Sequence, residues 1–359
     1  MKKVLLAMSG GTDSSVSAIL LKNQAYNIQG LTFKMWETEL TACDEKEKGC
    51  CDAESLLEAR ELARKLDFPH EIIDIRNEFE HYVIRDFVNE YMNGKTPNPC
   101  VVCNTHIKWG ILLDEMEKRG CDYYATGHYA RIREENGRHI LMKGADNKKD
   151  QSYFLWTLTQ EQLKHTIFPL GELTKDKVRE IAKENGFNRI AEKRESQEIC
   201  FIRDNDYRNF LKEYVKDIEK KVKPGNFMDS NGKILGQHKG YPYYTIGQRK
   251  GLNIALGKPA YVLSIDAQKN EIVLGDYNLL ERKSVRLKNT NWIKFLEPPE
   301  NLEIEAKIRY NSPAVPGNIR KDKQAYYLEL NQPVYAVTAG QSCVIYDGDD
   351  VIGGGIIEE

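Results

Sequence analysis

The sequence predicts an α/β protein: a doubly wound parallel-sheet domain over residues 1–216, a small, basic, mostly β middle domain over 217–280, and a C-terminal β-barrel over 281–359. Three features predict it. Short apolar runs alternate with stretches of helical periodicity through the first two hundred residues, the pattern of a parallel sheet covered by crossover helices. The first of these runs ends in a glycine-rich turn that opens directly into a helix. Beyond residue 222 the alternation gives way to short strands separated by turn signals.

The apolar runs near 4–7, 28–35, 70–75 and 121–126 read as strands, with helical patterns near 12–24, 52–66, 77–92 and 104–118 between them. Asp52 is the expected N-cap of the second helix, where Leu56, Leu57, Ala59, Leu62, Ala63 and Leu66 share a face. Two more helices are expected at 174–186 and 206–215, on either side of ESQEICFI. Then Asp229–Gly232, Asp266–Asn270 and Asp347-Gly348 mark turns between runs such as EAKIRY, YYLEL and CVIYD. Doubly wound sheets bind ligands at the carboxyl ends of their strands. There the glycine loop follows the first strand, Phe33-Lys34-Met35 ends the second, and Thr126-Gly127-His128 follows the fourth.

The loop reads AMSGGTDSS over 7–15. It precedes a helix whose first N–H groups and positive dipole end favour an anion. Gly10 and Gly11 allow a tight turn and close approach of backbone to a ligand. A Walker A loop requires lysine, and this loop has none. The Ser-Gly-Gly-x-Asp-Ser pattern arises by chance about once in a million positions. It resembles the signature of the PP-loop ATP pyrophosphatases. That resemblance implies a grip on the β- and γ-phosphates of ATP, attack at the α-phosphate, and a role for Asp13 in holding Mg²⁺.

The chain carries a formal net charge of −2, which excludes a general attraction to nucleic acid. Its charge is uneven. Residues 221–260 hold seven Lys or Arg (Arg249 and Lys250 among them) against Asp229 alone, and 282–294 hold five with no acid. A solvated face is the ordinary explanation of such runs. Interleaved Tyr241, Tyr243, Tyr244 and Trp292 suit stacking on bases and point to a nucleic-acid partner instead. No run is apolar enough to cross a membrane, and the Lys2-Lys3 start is too short for a signal, so a cytoplasmic location is expected. In that compartment the eight cysteines are thiols, ligands or catalysts.

Two cysteine sites stand out. In TPNPCVVCN, over 96–104, two X-Pro steps force an extended loop, and Cys103 lies where a helix starting near Asn104 would lower its pKa. The other is Cys200 in SQEICFI. Cys121 and Cys343 read as small core residues, and Cys43, Cys50 and Cys51 as exposed thiols or ligands.

SGGTDSS, TPNPCVVCN, ATGHYAR, KKDQSYFLW, SQEICFI, GQHKGYPYYTIGQRKGL and KIRYNSPAVPG follow one another in the order of the tRNA-specific 2-thiouridylases, which the chain resembles over essentially its whole length. The resemblance implies adenylation of the wobble uridine at its C2 carbonyl, then displacement of AMP by a persulfide sulfur. It puts that persulfide on Cys200 and the second catalytic thiol on Cys103, which closes a disulfide during turnover. It puts ATP against Ala7, Met8, Ser9, Gly10, Gly11, Thr12, Asp13, Ser14, Phe33 and Gly127. The target base falls at Asn98, Pro99 and Cys100, and tRNA contacts fall at Lys149, Asp150, Gln151, Arg309 and Tyr310. A sulfur-donor protein, a cysteine desulfurase or a relay, is an implied partner. The family's usual motif has aspartate where this chain has Cys100. With Cys103 and Cys200 that leaves a [4Fe–4S] cluster as the alternative route, and zinc on C-x-x-C behind it. A PP-loop amide-forming ligase would need neither the paired cysteines nor the basic β-modules. A non-catalytic RNA-binding protein would not need the glycine loop.

Overall fold

The computed structural model describes residues 1–36, 53–193, 199–202, 204–323 and 325–358. Asp52, Cys43, Cys50, Cys51 and the Ser196–Glu198 part of SQEICFI lie outside the described residues. The first sheet contains β1 (Lys3–Ala7), β2 (Asn27–Lys34), β3 (His70–Asp74) and β4 (Tyr123–Ala125). With the short β7 (Thr166–Ile167) they form the order β3-β2-β1-β4-β7, every pair parallel. β1 is central and apolar because helices cover both its faces. Val4 and Leu6 pack with Ala18 and Leu21 of α1 (Thr12–Asn23) and with Ala59 and Leu62 of α2 (Ala53–Lys65). Leu5 turns to the opposite face, among Ile107, Trp109 and Leu112. All three are fully buried, worth about 1.5–3 kcal/mol each.

A hairpin the sequence reading did not include, β5 (Ala130–Glu135) and β6 (Arg138–Lys143), leaves the first domain and joins the third. Its turn is Asn136-Gly137, both at positive φ, a strong hairpin signal. β12 (Glu281–Trp292), β13 (Glu303–Lys307), β14 (Val315–Asp322), β15 (Ala325–Tyr335), β16 (Ser342–Asp347) and β17 (Asp350–Glu358) close into a six-stranded barrel, because β12 pairs with both β15 and β17. β6 extends that sheet at β17. The Arg138 guanidinium then donates to the carbonyls of Trp292, Ile293 and Phe295, and Asn291 donates to those of Trp156 and Leu158. These bonds tie barrel and first domain into one surface.

In the middle domain β8 (Gly225–Met228), β9 (Ile234–His238), β10 (Tyr261–Asp266) and β11 (Glu271–Gly275) form a sheet of order β10-β11-β8-β9. Its core is shared: Phe227, Val262 and Ile272 pack with Phe87, Val88 and Tyr91 from the helix Arg85–Met92 of the first domain. This overturns one expectation. Tyr243 and Tyr244 are only 8% and 7% exposed, members of that core, and cannot stack on a base. Tyr241 is half-buried with its hydroxyl on the Met92 carbonyl, and Trp292 packs edge-on against Tyr326 of the barrel. The charges of the basic segment face water; its aromatics hold the domain together.

Candidate active site

The loop between β1 and α1 has the form its sequence requires. Gly10 has φ +69°, and a Cβ there would lie 2.1 Å from the Ser55 carbonyl oxygen of α2. Gly11 is extended at the N-cap, and no side chain caps the helix. Ser14 Oγ accepts from the Ser9 N–H at 3.2 Å and reaches the Gly11 carbonyl at 3.1 Å, which curls the loop over the first turn. The arrangement leaves the N-terminal donors of α1 pointing at the carboxyl edge of the sheet, where they suit phosphate oxygens. Gly127 touches the same turn: a Cβ on it would lie 2.9 Å from the Asp13 carbonyl carbon and 3.0 Å from the Ser14 nitrogen. Met8 and Phe33 are both buried, in the clusters on opposite faces of the sheet.

Two lysines that the sequence reading missed flank this loop. Lys175, only 7% exposed, donates from Nζ to both Asp13 oxygens at 2.7 and 2.9 Å, and the Tyr129 hydroxyl donates to Oδ1 at 2.8 Å. Lys193 meets Glu58, Ser55 Oγ and, at 3.4 Å, the Gly10 carbonyl. Lys175 is the first residue of a helix, Lys175–Glu184, capped by Thr174, which presents it to the loop. Asp13 is therefore the loop's carboxylate, and Lys175 engages both its oxygens.

The cysteine segment corrects a second expectation. Asn98, not a residue near 104, caps the helix, with its side chain accepting from Val101 N–H, and Pro99 occupies the first turn. Cys100 is thus at the helix start and Cys103 a full turn inside it, so the dipole argument applies to Cys100. The helix Pro99–Cys103 runs on into a π-helical stretch, Asn104–Ile111, a local widening frequent at functional sites. Thr105 Oγ1 bonds the Val101 carbonyl and Thr157 Oγ1, and Asn104 Nδ2 the Phe154 carbonyl, fixing the segment. Cys103 and Cys200 are both half-buried and pack against the same apolar cluster as Phe33. Cys100 is exposed. Burial pushes the Cys343 thiol up to about 12, so that thiol is inert; Cys121 is half-buried and raised for the same reason. Among the described residues no group of three His, Cys, Asp or Glu is arranged to hold a metal ion.

Lys149–Gln151 and Arg309-Tyr310, far apart in sequence, meet. Tyr310 OH donates to the Asp150 carbonyl at 3.2 Å, beside a polar notch of about 220 Å³ lined by Asn147, Lys148, Lys307, Asn311 and Ser312. The Asp150 carboxylate turns inward to the N–H groups of Gly144 and Ser152, and Gln151 Oε1 accepts from Tyr129 N–H. Arg309 is largely buried, donating to Thr338 Oγ1 at 2.7 Å and to the Ala336 carbonyl, and burial lowers its pKa.

Three family models match in succession: "tRNA methyl transferase HUP domain" over 2–204, "tRNA methyl transferase PRC-barrel domain" over 208–276, and "Aminomethyltransferase beta-barrel domain" over 282–357. A protein of Amoebophilus asiaticus named tRNA-specific 2-thiouridylase MnmA is 50% identical over 357 residues, covering 99% of this chain and 95% of its own. Proteins of the same name from Carboxydothermus hydrogenoformans and Clostridium acetobutylicum are each 48% identical, covering 100% and 99% of this chain and 98% and 99% of their own. The chain belongs to the tRNA-specific 2-thiouridylase family. The family-model descriptions speak of methyl transfer, whereas the 2-thiouridylase name carried by the relatives speaks of sulfur. No described helix is long and apolar enough to cross a membrane.

Proposed function

We propose that the protein is an ATP-dependent tRNA 2-thiouridylase working through a cysteine persulfide. The observation that carries this is that Cys103 and Cys200, both half-buried, pack against the same apolar cluster as Ala7, the residue that opens the glycine loop. A uracil carbonyl is a poor electrophile. Attack of its O2 on the α-phosphorus of ATP breaks the bond to the bridging oxygen, pyrophosphate leaves with that electron pair, and the N3 proton is released. The terminal sulfur of a Cys200 persulfide then attacks C2, and AMP departs with the C2–O pair. Attack of the Cys103 thiolate on Cys200 Sγ breaks the S–S bond, leaves sulfur on the base, and joins the two cysteines in a disulfide that a thiol reductant reopens. A sulfur-donor protein reloads Cys200. The apolar wall keeps water from the persulfide, and the loop N–H groups hold the triphosphate while Mg²⁺, when bound, neutralises its charge.

In this reading Ala7–Ser14, Phe33 and Gly127 face ATP, Asn98–Cys100 face the target base, and Lys149 and Tyr310 face tRNA on a surface that the inward-turned side chains of Asp150, Gln151 and Arg309 hold in shape. Added tRNA should stimulate release of AMP and pyrophosphate; ADP and phosphate instead would sink the assignment. Cys103→Ser and Cys200→Ser should each stop thiolation, measured by mass spectrometry of tRNA nucleosides, and Cys200→Ser should still release pyrophosphate. Cys100→Ser should keep appreciable activity. Loss of activity and of about four irons per chain with Cys100→Ser would replace the persulfide by a cluster.

A further inference from the structure

A third lysine stands at the carboxyl edge of the sheet, on the cysteine face. Lys108, in the π-helical stretch after Cys103, is half-buried with Nζ 3.3 Å from His128 Nε2. Among the described residues no carboxylate lies within ion-pair distance of it, whereas Lys175 and Lys193 are neutralised by Asp13 and Glu58. Its polar neighbour among the described residues is an imidazole that is itself neutral: burial, and then the Lys108 charge, hold the His128 ring well below the ordinary imidazole range. An ammonium has donors only, so Nε2 accepts. The ring proton is then on Nδ1 and is donated to Thr126 Oγ1, 2.8 Å away. Trp109 and Phe168 flank the ring. The imidazole therefore aims the ammonium without cancelling its charge.

The place matters as much as the pairing. His128 follows Gly127, whose backbone abuts Asp13 and Ser14 of the loop, and Lys108 shares a helix with Cys103. Lys108 thus continues the helix that carries Cys103 and bonds the residue next to the one that abuts the glycine loop. A half-buried cation without a counter-charge is costly unless a ligand supplies the anion. We propose that Lys108, oriented by His128, is a catalytic residue that binds the α-phosphate of ATP and stabilises the charge gathering there as uracil O2 displaces pyrophosphate. It moves no proton. The inference rests on the adenylation reading above and assigns one residue within it.

The test compares Lys108→Met, Lys108→Arg and His128→Gln with the wild type, using full-length protein and tRNA. Lys108→Met should slow tRNA-stimulated pyrophosphate release by about 10²–10³-fold, the usual loss for a donor to developing charge. Its tRNA Kd and thermal midpoint should be nearly unchanged. Lys108→Arg should recover part of the rate, and His128→Gln should lose about tenfold, as a positioning residue would. A binding measurement isolates the contact: wild type should prefer AMP to adenosine, and Lys108→Met should erase most of that preference while leaving adenosine affinity intact. An unchanged AMP-to-adenosine ratio, or pyrophosphate release within threefold of wild type, would overturn the role of Lys108 alone. Wild-type turnover to ADP would overturn it together with the adenylation reading.

Discussion

At the scale of single residues the site is an arrangement of charges around one carboxylate. Asp13 is bonded by Lys175 and Tyr129, and the lysine is almost wholly buried. Removing the carboxylate strands a buried ammonium; removing both partners does not. Asp13→Ala should therefore abolish turnover, leave tRNA binding nearly intact, and lower stability by about 1–3 kcal/mol, the lower end reflecting the partial exposure of Asp13. The double variant Asp13→Ala, Lys175→Met should regain part of that stability and none of the activity. Denaturant titration of the four proteins of this cycle checks it, and additivity of the two losses would show that the pair does not interact.

At the scale of elements, the strand–loop–helix unit at the N-terminus works because backbone packs on backbone. Gly10 sits at φ +69° under the Ser55 carbonyl, so α2 closes directly over the loop. Gly10→Ala combines a left-handed backbone with a contact that no side-chain rotation relieves. It should cost about 2–3 kcal/mol and raise the KM for ATP by more than tenfold, because α2 or the loop must shift. Equal ATP affinity in the variant would mean that the loop does not form the nucleotide site. The helix beginning at Pro99 gives the complementary lesson. Its start was misplaced because Cys103 precedes a good helical run, whereas the cap is Asn98 with proline behind it. Asn-Pro is itself a start signal, visible in the sequence.

At the scale of the whole molecule, the three domains share cores and strands rather than hanging from linkers. The hairpin β5–β6 joins the barrel sheet, and helix Arg85–Met92 completes the middle domain's core. Such joints hold the notch beside Tyr310 and the exposed Arg249 and Lys250 in fixed relation to the thiols. If these exposed cations meet tRNA phosphates, replacing Arg249 and Lys250 by alanine should make the dependence of log Kd on log salt shallower by about 1–2 units. Filter binding over a salt series measures it, and an unchanged slope would return both residues to a merely solvated face.

The sequence by itself determined what depends on neighbours along the chain. The glycine loop, the alternation of strand and helix, the turn-punctuated barrel and the pair of cysteine motifs are local patterns, each imposed by backbone geometry or by burial of one face. The tertiary structure alone decided which charges meet. Lys175 reaches Asp13 across 162 positions, and Lys108 meets His128 across 20 with no periodic signal joining them. It also decided that Tyr243 and Tyr244 serve a core rather than a surface, because a tyrosine's pattern is the same whether its ring faces a base or a neighbouring domain. Electrostatic partnership is a property of distance in space, and the order of residues carries it only after the chain has folded.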